Sequence, residues 1–198
     1  MSWTVGLDIG QSSDPTALGA LEEVGSSPAC YHLRHIERFE LGTPYPEVAG
    51  RVTELMQQEP LGGGDLVIDA TGVGRPIVEM IEEKGLRPYS IWITGGDSIS
   101  RDGREYRVPK RELASTVQAL LQFGRLRFAE KLPSRQVLVD ELQKFRAKID
   151  VSTGEASFEH WREQDTDDIV LALACALWHA ENNGADWDSF PSVEANVN

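Results

Sequence analysis

Positive charge is scarce in this 198-residue sequence: 19 Lys and Arg stand against 32 Asp and Glu, a formal net charge of −13. That balance argues against a protein that holds nucleic acid by overall charge. There are only two cysteines, Cys30 and Cys175, and they have no motif spacing. A disulfide framework is therefore excluded, and Cys175, inside an apolar stretch, reads as a buried thiol in a reducing, cytoplasmic protein. His32, His35, His160 and His179 form no ligand spacing with each other or with cysteine, so a His/Cys metal site is not indicated. They read as structural or surface residues. No apolar run is long enough to span a membrane, and the first residues carry no basic-then-apolar leader. No internal repeat is visible. The expectation is one domain over residues 1–183, followed by a mobile tail, 184–198, that has acids and no basic residue.

What is present is a set of acids in apolar company. Trp3-Thr4-Val5-Gly6-Leu7-Asp8-Ile9-Gly10 alternates as a buried strand, yet Asp8 lies within it. Leu66-Val67-Ile68-Asp69 is a second apolar strand ending in an acid. Asp165-Thr166-Asp167-Asp168 opens a very apolar helix, Ile169 to His179. A carboxylate beside a core is costly unless something pairs with it. Positive charge is also unevenly spread. From Arg101 to Lys148 there are 12 basic and 6 acidic residues, a local +6, so the remainder carries −19 against the chain's −13. Such a segment either steers a phosphate backbone to one face or is solvated helix surface.

In chain order, strands are expected over 3–10, 16–24 and 30–40, joined by the turns Gln11-Ser12-Ser13-Asp14-Pro15 and Gly25-Ser26-Ser27-Pro28, as an antiparallel meander. Asp14 reads as a turn residue. A helix follows over 46–58, then the strand 66–69, a helix to about Lys84 and a strand over 88–93, a parallel strand–helix–strand unit. Thr94 to Val108 is rich in Gly, Ser and Arg and reads as a loop. Helices are expected over 109–123 and from a Ser134 cap to Lys148, a hairpin over 149–161, and the last helix over 167–181. Gly72-Val73-Gly74 reads as a tight strand-to-helix turn, since Ile77 stands where a dinucleotide fingerprint needs glycine. The order predicts an α/β protein: a mixed five-stranded sheet, strands 1–3 antiparallel and strands 1, 4 and 5 parallel, flanked by helices with an added β-hairpin. That is the ribonuclease H-like layout.

In such a sheet the first and fourth strands are neighbours, roughly 4.8 Å apart. Asp8 and Asp69 would then sit close enough to resist joint ionisation. Mg²⁺ or Mn²⁺, which prefer oxygen ligands, remove that conflict, and a pair of such ions supports phosphodiester hydrolysis. Each acid also has a plainer reading: Asp8 and Asp69 as strand-end turn residues, and the Asp165–Asp168 group as helix capping. Spacing leaves the last ligand open among Asp165, Asp167 and Asp168. Asp168 is favoured, Asp167 is next and Asp165 is less favoured.

The chain resembles the C-terminal nuclease domain of tailed-phage large terminase subunits over nearly its whole length, to about residue 182. The resemblance rests on Val5-Gly6-Leu7-Asp8-Ile9-Gly10 with Asp14-Pro15-Thr16-Ala17, and on Val67-Ile68-Asp69-Ala70-Thr71-Gly72-Val73-Gly74. It continues in Val108-Pro109-Lys110, Gly124-Arg125-Leu126 and Asp167-Asp168-Ile169-Val170-Leu171-Ala172-Leu173-Ala174. It implies an endonuclease that cuts double-stranded DNA during viral genome packaging in the host bacterial cytoplasm, with two Mg²⁺ or Mn²⁺ ions. Asp8, Asp69 and Asp168 or Asp167 would be ligands and catalytic residues, Asp8 bridging the ions. Lys110 matches a family lysine near the active site, and the 149–161 hairpin one that flanks the cleft. Arg101, Arg104, Arg107, Lys110 and Arg111 are the expected DNA contacts. Implied partners are a terminase ATPase domain, the small terminase subunit and the portal protein. The ATPase half is absent from this sequence, so an excised domain or a stand-alone relative is expected, one that cannot translocate DNA. Gln164-Asp165-Thr166 departs from the His or Gly often found near the last motif, which leaves the ligand set open. A Holliday-junction resolvase of the same fold is the alternative. An actin-like ATPase or sugar kinase, suggested by Leu7-Asp8-Ile9-Gly10-Gln11-Ser12-Ser13, needs two lobes where this chain has room for one.

Overall fold

The computed structural model describes residues 2–10, 14–25, 27–150 and 167–183. Strand β1 (Ser2–Asp8) pairs antiparallel with β2 (Ala17–Val24), which pairs antiparallel with β3 (Cys30–Arg38). Helix α1 (Tyr45–Met56) follows, then β4 (Asp65–Asp69), α2 (Gly74–Glu83) and β5 (Tyr89–Thr94). β4 runs parallel to both β1 and β5, as a strand–helix–strand crossover requires. The expected five-stranded ribonuclease H-like core is therefore present, in the order β5-β4-β1-β2-β3.

Among the described residues the sheet is wider than expected, with eight strands in the order β6-β7-β5-β4-β1-β2-β3-β8. The segment read as a loop contains β6 (Ser100–Asp102) and β7 (Glu105–Pro109), with β7 parallel to β5. Composition hid them because β6 is fully exposed and β7 buries only Tyr106, Val108 and Pro109 among charged neighbours. At the opposite edge β8 (Leu126–Phe128) adds parallel to β3. Three residues carry no periodicity, so only pairing reveals it.

Helix α3 (Lys110–Gln122) follows β7, and α4 (Arg135–Asp150) and α5 (Asp168–Asn182) are the last elements among the described residues. Ile149 and Asp150, placed in a hairpin by the sequence reading, belong to α4. The rest of that hairpin, and the tail after residue 183, lie outside the described residues.

The sheet separates two apolar layers. On one face Val48, Val52 and Met56 of α1 and Ile77 and Ile81 of α2 pack on Val5, Leu7 and Ile68. On the other, α3, α4 and α5 pack on Leu33, Val67, Ile91, Tyr106 and Val108. Helix α5 is buried on all sides from Asp168 to His179, which explains its lack of a polar face. Two glycines in register, Gly6 and Gly19, admit it. A Cβ on Gly6 would lie 2.0 Å from the Ala172 carbonyl oxygen, and one on Gly19 2.7 Å from Leu173 Cδ2. Cys30 and Cys175 are not joined in a disulfide. No helix among the described residues is long and apolar enough to cross a membrane.

Candidate active site

β1 and β4 pair in register up to Leu7 and Ile68. Asp8 and Asp69 are the next residue on each strand, so they stand side by side where both strands end. Leu7 and Ile68 enter the α1/α2 layer. Alternation then turns Asp8 and Asp69 to the opposite face, where Gly6 meets α5 and Val67 packs.

Three contacts fix how α5 lies on that face. Its His179 Nε2 is 3.1 Å from Asp65 Oδ2, at the start of β4. Its Ala172 rests against Gly6, midway along β1. Its first residue, Asp168, must therefore lie toward the strand ends. Moving from Gly6 to Asp8 advances about 6.7 Å along a strand. Moving back one turn from Ala172 to Asp168 advances about 6 Å along a helix. The two steps match, so Asp168 reaches the level of Asp8.

The row across the sheet agrees. Asp8 pairs with Ala17, and Ala17 with Arg38. Arg38 Nη2 donates to Asp168 Oδ2 at 3.0 Å. The small Ala17 between them leaves space on the α5 face for this ion pair. Asp8 is 7% exposed, Asp69 1% and Asp168 4%. Burial pushes the Asp168 carboxyl above the ordinary range; Arg38 pulls it back, and nearby Asp14 pushes it further up.

The local chemistry of each acid differs. Asp69 Oδ1 accepts from the Thr71 amide at 2.8 Å, so the turn reading of this residue holds as one of its contacts. Gly74 has no room for a side chain: a Cβ there would lie 2.4 Å from the Asp69 carbonyl oxygen. Gly72-Val73-Gly74 is thus a tight turn into α2. Asp167 is the N-cap of α5, yet its side chain makes no capping bond. The capping is done instead by Glu141 of α4, whose Oε2 accepts from the Ile169 and Val170 amides at 3.0 and 3.1 Å. Burial pushes Glu141 up to about 7, with the Val170 amide opposing and Asp168 and Asp167 adding to the rise. Asp165 lies outside the described residues.

Arg38, Glu141 and Asp14 were not picked out as site residues from the sequence. For Glu141 a signal existed: it lies i+3 from buried Leu138, an acid on the apolar face of its helix. For Arg38 none did, because its place follows from strand register alone.

The five expected DNA contacts do not form one patch. Lys110 begins α3 just beyond Pro109, which pairs with Thr94 at the end of β5, so it stands at the acidic end of the sheet. Arg111 is held by Asp97 at 2.6 Å. Arg107 is one residue from Tyr106 and points to the other face of β7. Arg104 stacks on the Tyr89 ring at 3.9 Å, near the start of β5, and Arg101 lies over the Tyr106 ring at 5.2 Å.

Among the described residues, no three His, Cys, Asp or Glu side chains are set to close around a cation as they stand. Asp168 is turned to Arg38 and Asp69 to the Thr71 amide. The donor set still suits a hard divalent cation: three buried carboxylates brought to one end of the sheet and no soft ligand.

The fold is a mixed α/β sheet of the ribonuclease H-like layout. The chain is similar to the large terminase nuclease from thermophilic phage G20c. One structure of that protein is 18% identical, with a TM-score of 0.58 over 91% of this chain and 82% of the other. A second, with bound zinc, is 20% identical, with the same TM-score over 91% and 81%. The manganese-soaked human cytomegalovirus terminase nuclease domain is 12% identical, with a TM-score of 0.49 over 93% and 86%. No family model and no curated protein matches the sequence.

Proposed function

We propose that the chain is a divalent-metal-dependent endonuclease for double-stranded DNA, acting as the nuclease part of a viral large terminase. The observation that carries this reading is the meeting of Asp8, Asp69 and the start of α5 at one end of the sheet, all three acids buried. The fold shared with a terminase nuclease, one copy of which binds zinc, supports it.

Asp8, Asp69 and Asp168, with Asp167 as the alternative to Asp168, would hold two Mg²⁺ or Mn²⁺ ions. Such ions, when bound, neutralise the acids and supply Lewis acidity to a phosphodiester. The chain's own residues do the rest. Arg38 balances Asp168 until a cation shares its charge. The Thr71 amide orients Asp69. Lys110, at the same end of the sheet, would hold a backbone phosphate near the cut. Arg101, Arg104, Arg107 and Arg111, spread over β6, β7, the turn between them and the start of α3, would meet DNA further from it.

The test is Asp8→Asn. Its Mn²⁺-dependent cleavage of plasmid DNA should vanish while its thermal melt stays cooperative. Cleavage at the wild-type rate would rule the site assignment out.

A further inference from the structure

We propose that Glu141 is a positioning residue, which caps the first turn of α5 from α4 and so sets where Asp168 stands at the cation end of the sheet. This rests on reading that end as a metal centre.

A helix begins with amides that have no partner inside the helix, and an Asp at the N-cap normally folds back to satisfy them. Asp167 has the right chemistry and position, but its side chain makes no such bond. Glu141 Oε2 takes both the Ile169 and Val170 amides instead, from 28 and 29 residues earlier in the chain. The arrangement is costly. Glu141 is 2% exposed, and its Oε1 is buried with no hydrogen-bond partner among the described residues. Packing alone would be served by an apolar side chain beside Leu138. Taking the cap from α4 ties the first turn of α5, and Asp168 with it, to a second helix.

The capping also completes the fixing of α5. Gly6 sets how closely the helix approaches the sheet, and Arg38 holds Asp168 from the side. Glu141 holds the tip. Groups that orient metal ligands in this way typically matter about 10–100-fold to metal affinity.

The test compares Glu141→Ala with Glu141→Gln in the full chain. The glutamine carbonyl can accept the same two amide hydrogens; alanine accepts none. Three readouts are taken: Mn²⁺ affinity by calorimetry, amide exchange at Ile169 and Val170, and the thermal melt. Glu141→Ala should lose exchange protection at both amides and weaken Mn²⁺ binding by at least about 10-fold, while Glu141→Gln keeps it within about threefold. Unchanged Mn²⁺ affinity in Glu141→Ala overturns the proposal even if the helix tip exchanges faster. An equal loss in both variants overturns it too, since amide acceptance would not be the property that counts. A wild-type protein that binds no Mn²⁺ removes the metal reading itself and this inference with it, a result distinguishable from the first two.

Discussion

Gly6 is the place where a single methyl group tests the whole arrangement. A Cβ there would meet the Ala172 carbonyl oxygen at 2.0 Å, its carbonyl carbon at 2.8 Å and Ala176 Cβ at 3.0 Å. Two of these are backbone atoms, so no rotamer relieves the clash. Ordinary contact begins at 3.4 Å, so in Gly6→Ala helix α5 must retreat by 1.4 Å, the difference between 3.4 and 2.0. Overpacking of this kind costs about 1–3 kcal/mol. For a chain of this size, 2 kcal/mol lowers Tm by about 4–8 °C. The functional effect should exceed the stability effect. Asp168 travels with the helix while Asp8 and Asp69 stay on the strands, and a misplacement of about 1 Å costs about 100-fold in rate. Gly50→Ala is the control. It lies within α1 with nothing within 4 Å of the added carbon, so helix propensity should make it neutral or stabilising by up to about 1 kcal/mol. Melting curves and Mn²⁺-dependent plasmid cleavage are measured for all three proteins. A Gly6→Ala protein that melts and cleaves like wild type would refute the placement of α5, and with it the level of Asp168.

Two further outcomes follow from the same geometry. In metal-free buffer, Glu141 has a folded pKa of about 7 against 4.5 for the free side chain. A raised acid pKa favours the folded state when protonated, so this contribution is full below pH 4.5 and is lost as pH rises through 7. The loss is about 3 kcal/mol; urea melts should show wild type losing more stability than Glu141→Gln between pH 5 and pH 8, and equal slopes would count against it. Lys110→Ala should lower the slope of log binding constant against log salt by about 1 for duplex DNA, with little sequence dependence; an unchanged slope would remove Lys110 from the phosphate contacts.

How much of this was legible in the sequence divides along physical lines. β1, β4 and α5 announced themselves because each is an apolar run long enough to show a pattern, and each carries an acid that the pattern does not explain. The central five strands followed from the order of elements. β8, at three residues, has no pattern to read, and β6 and β7 alternate too briefly among Arg, Asp and Glu. The basic segment was legible as a charge count and not as a surface. Successive residues of β7 face opposite sides, and its two ends lie at opposite ends of the sheet, so Arg104 and Lys110 part company. Arg38 and Glu141 act across the fold, through a strand register and a helix contact that no local spacing encodes. Asp167 illustrates the converse: it stands at the N-cap its local pattern suggests, yet its side chain makes no capping bond.

Anomalous diffraction from crystals soaked in Mn²⁺ locates the ions themselves. Manganese peaks should lie within about 2.1 Å of carboxylate oxygens from both Asp8 and Asp69, with Asp168 or Asp167 completing the set. Manganese bound elsewhere, with Asp8 and Asp69 touching no ion at saturating concentration, would contradict the metal assignment.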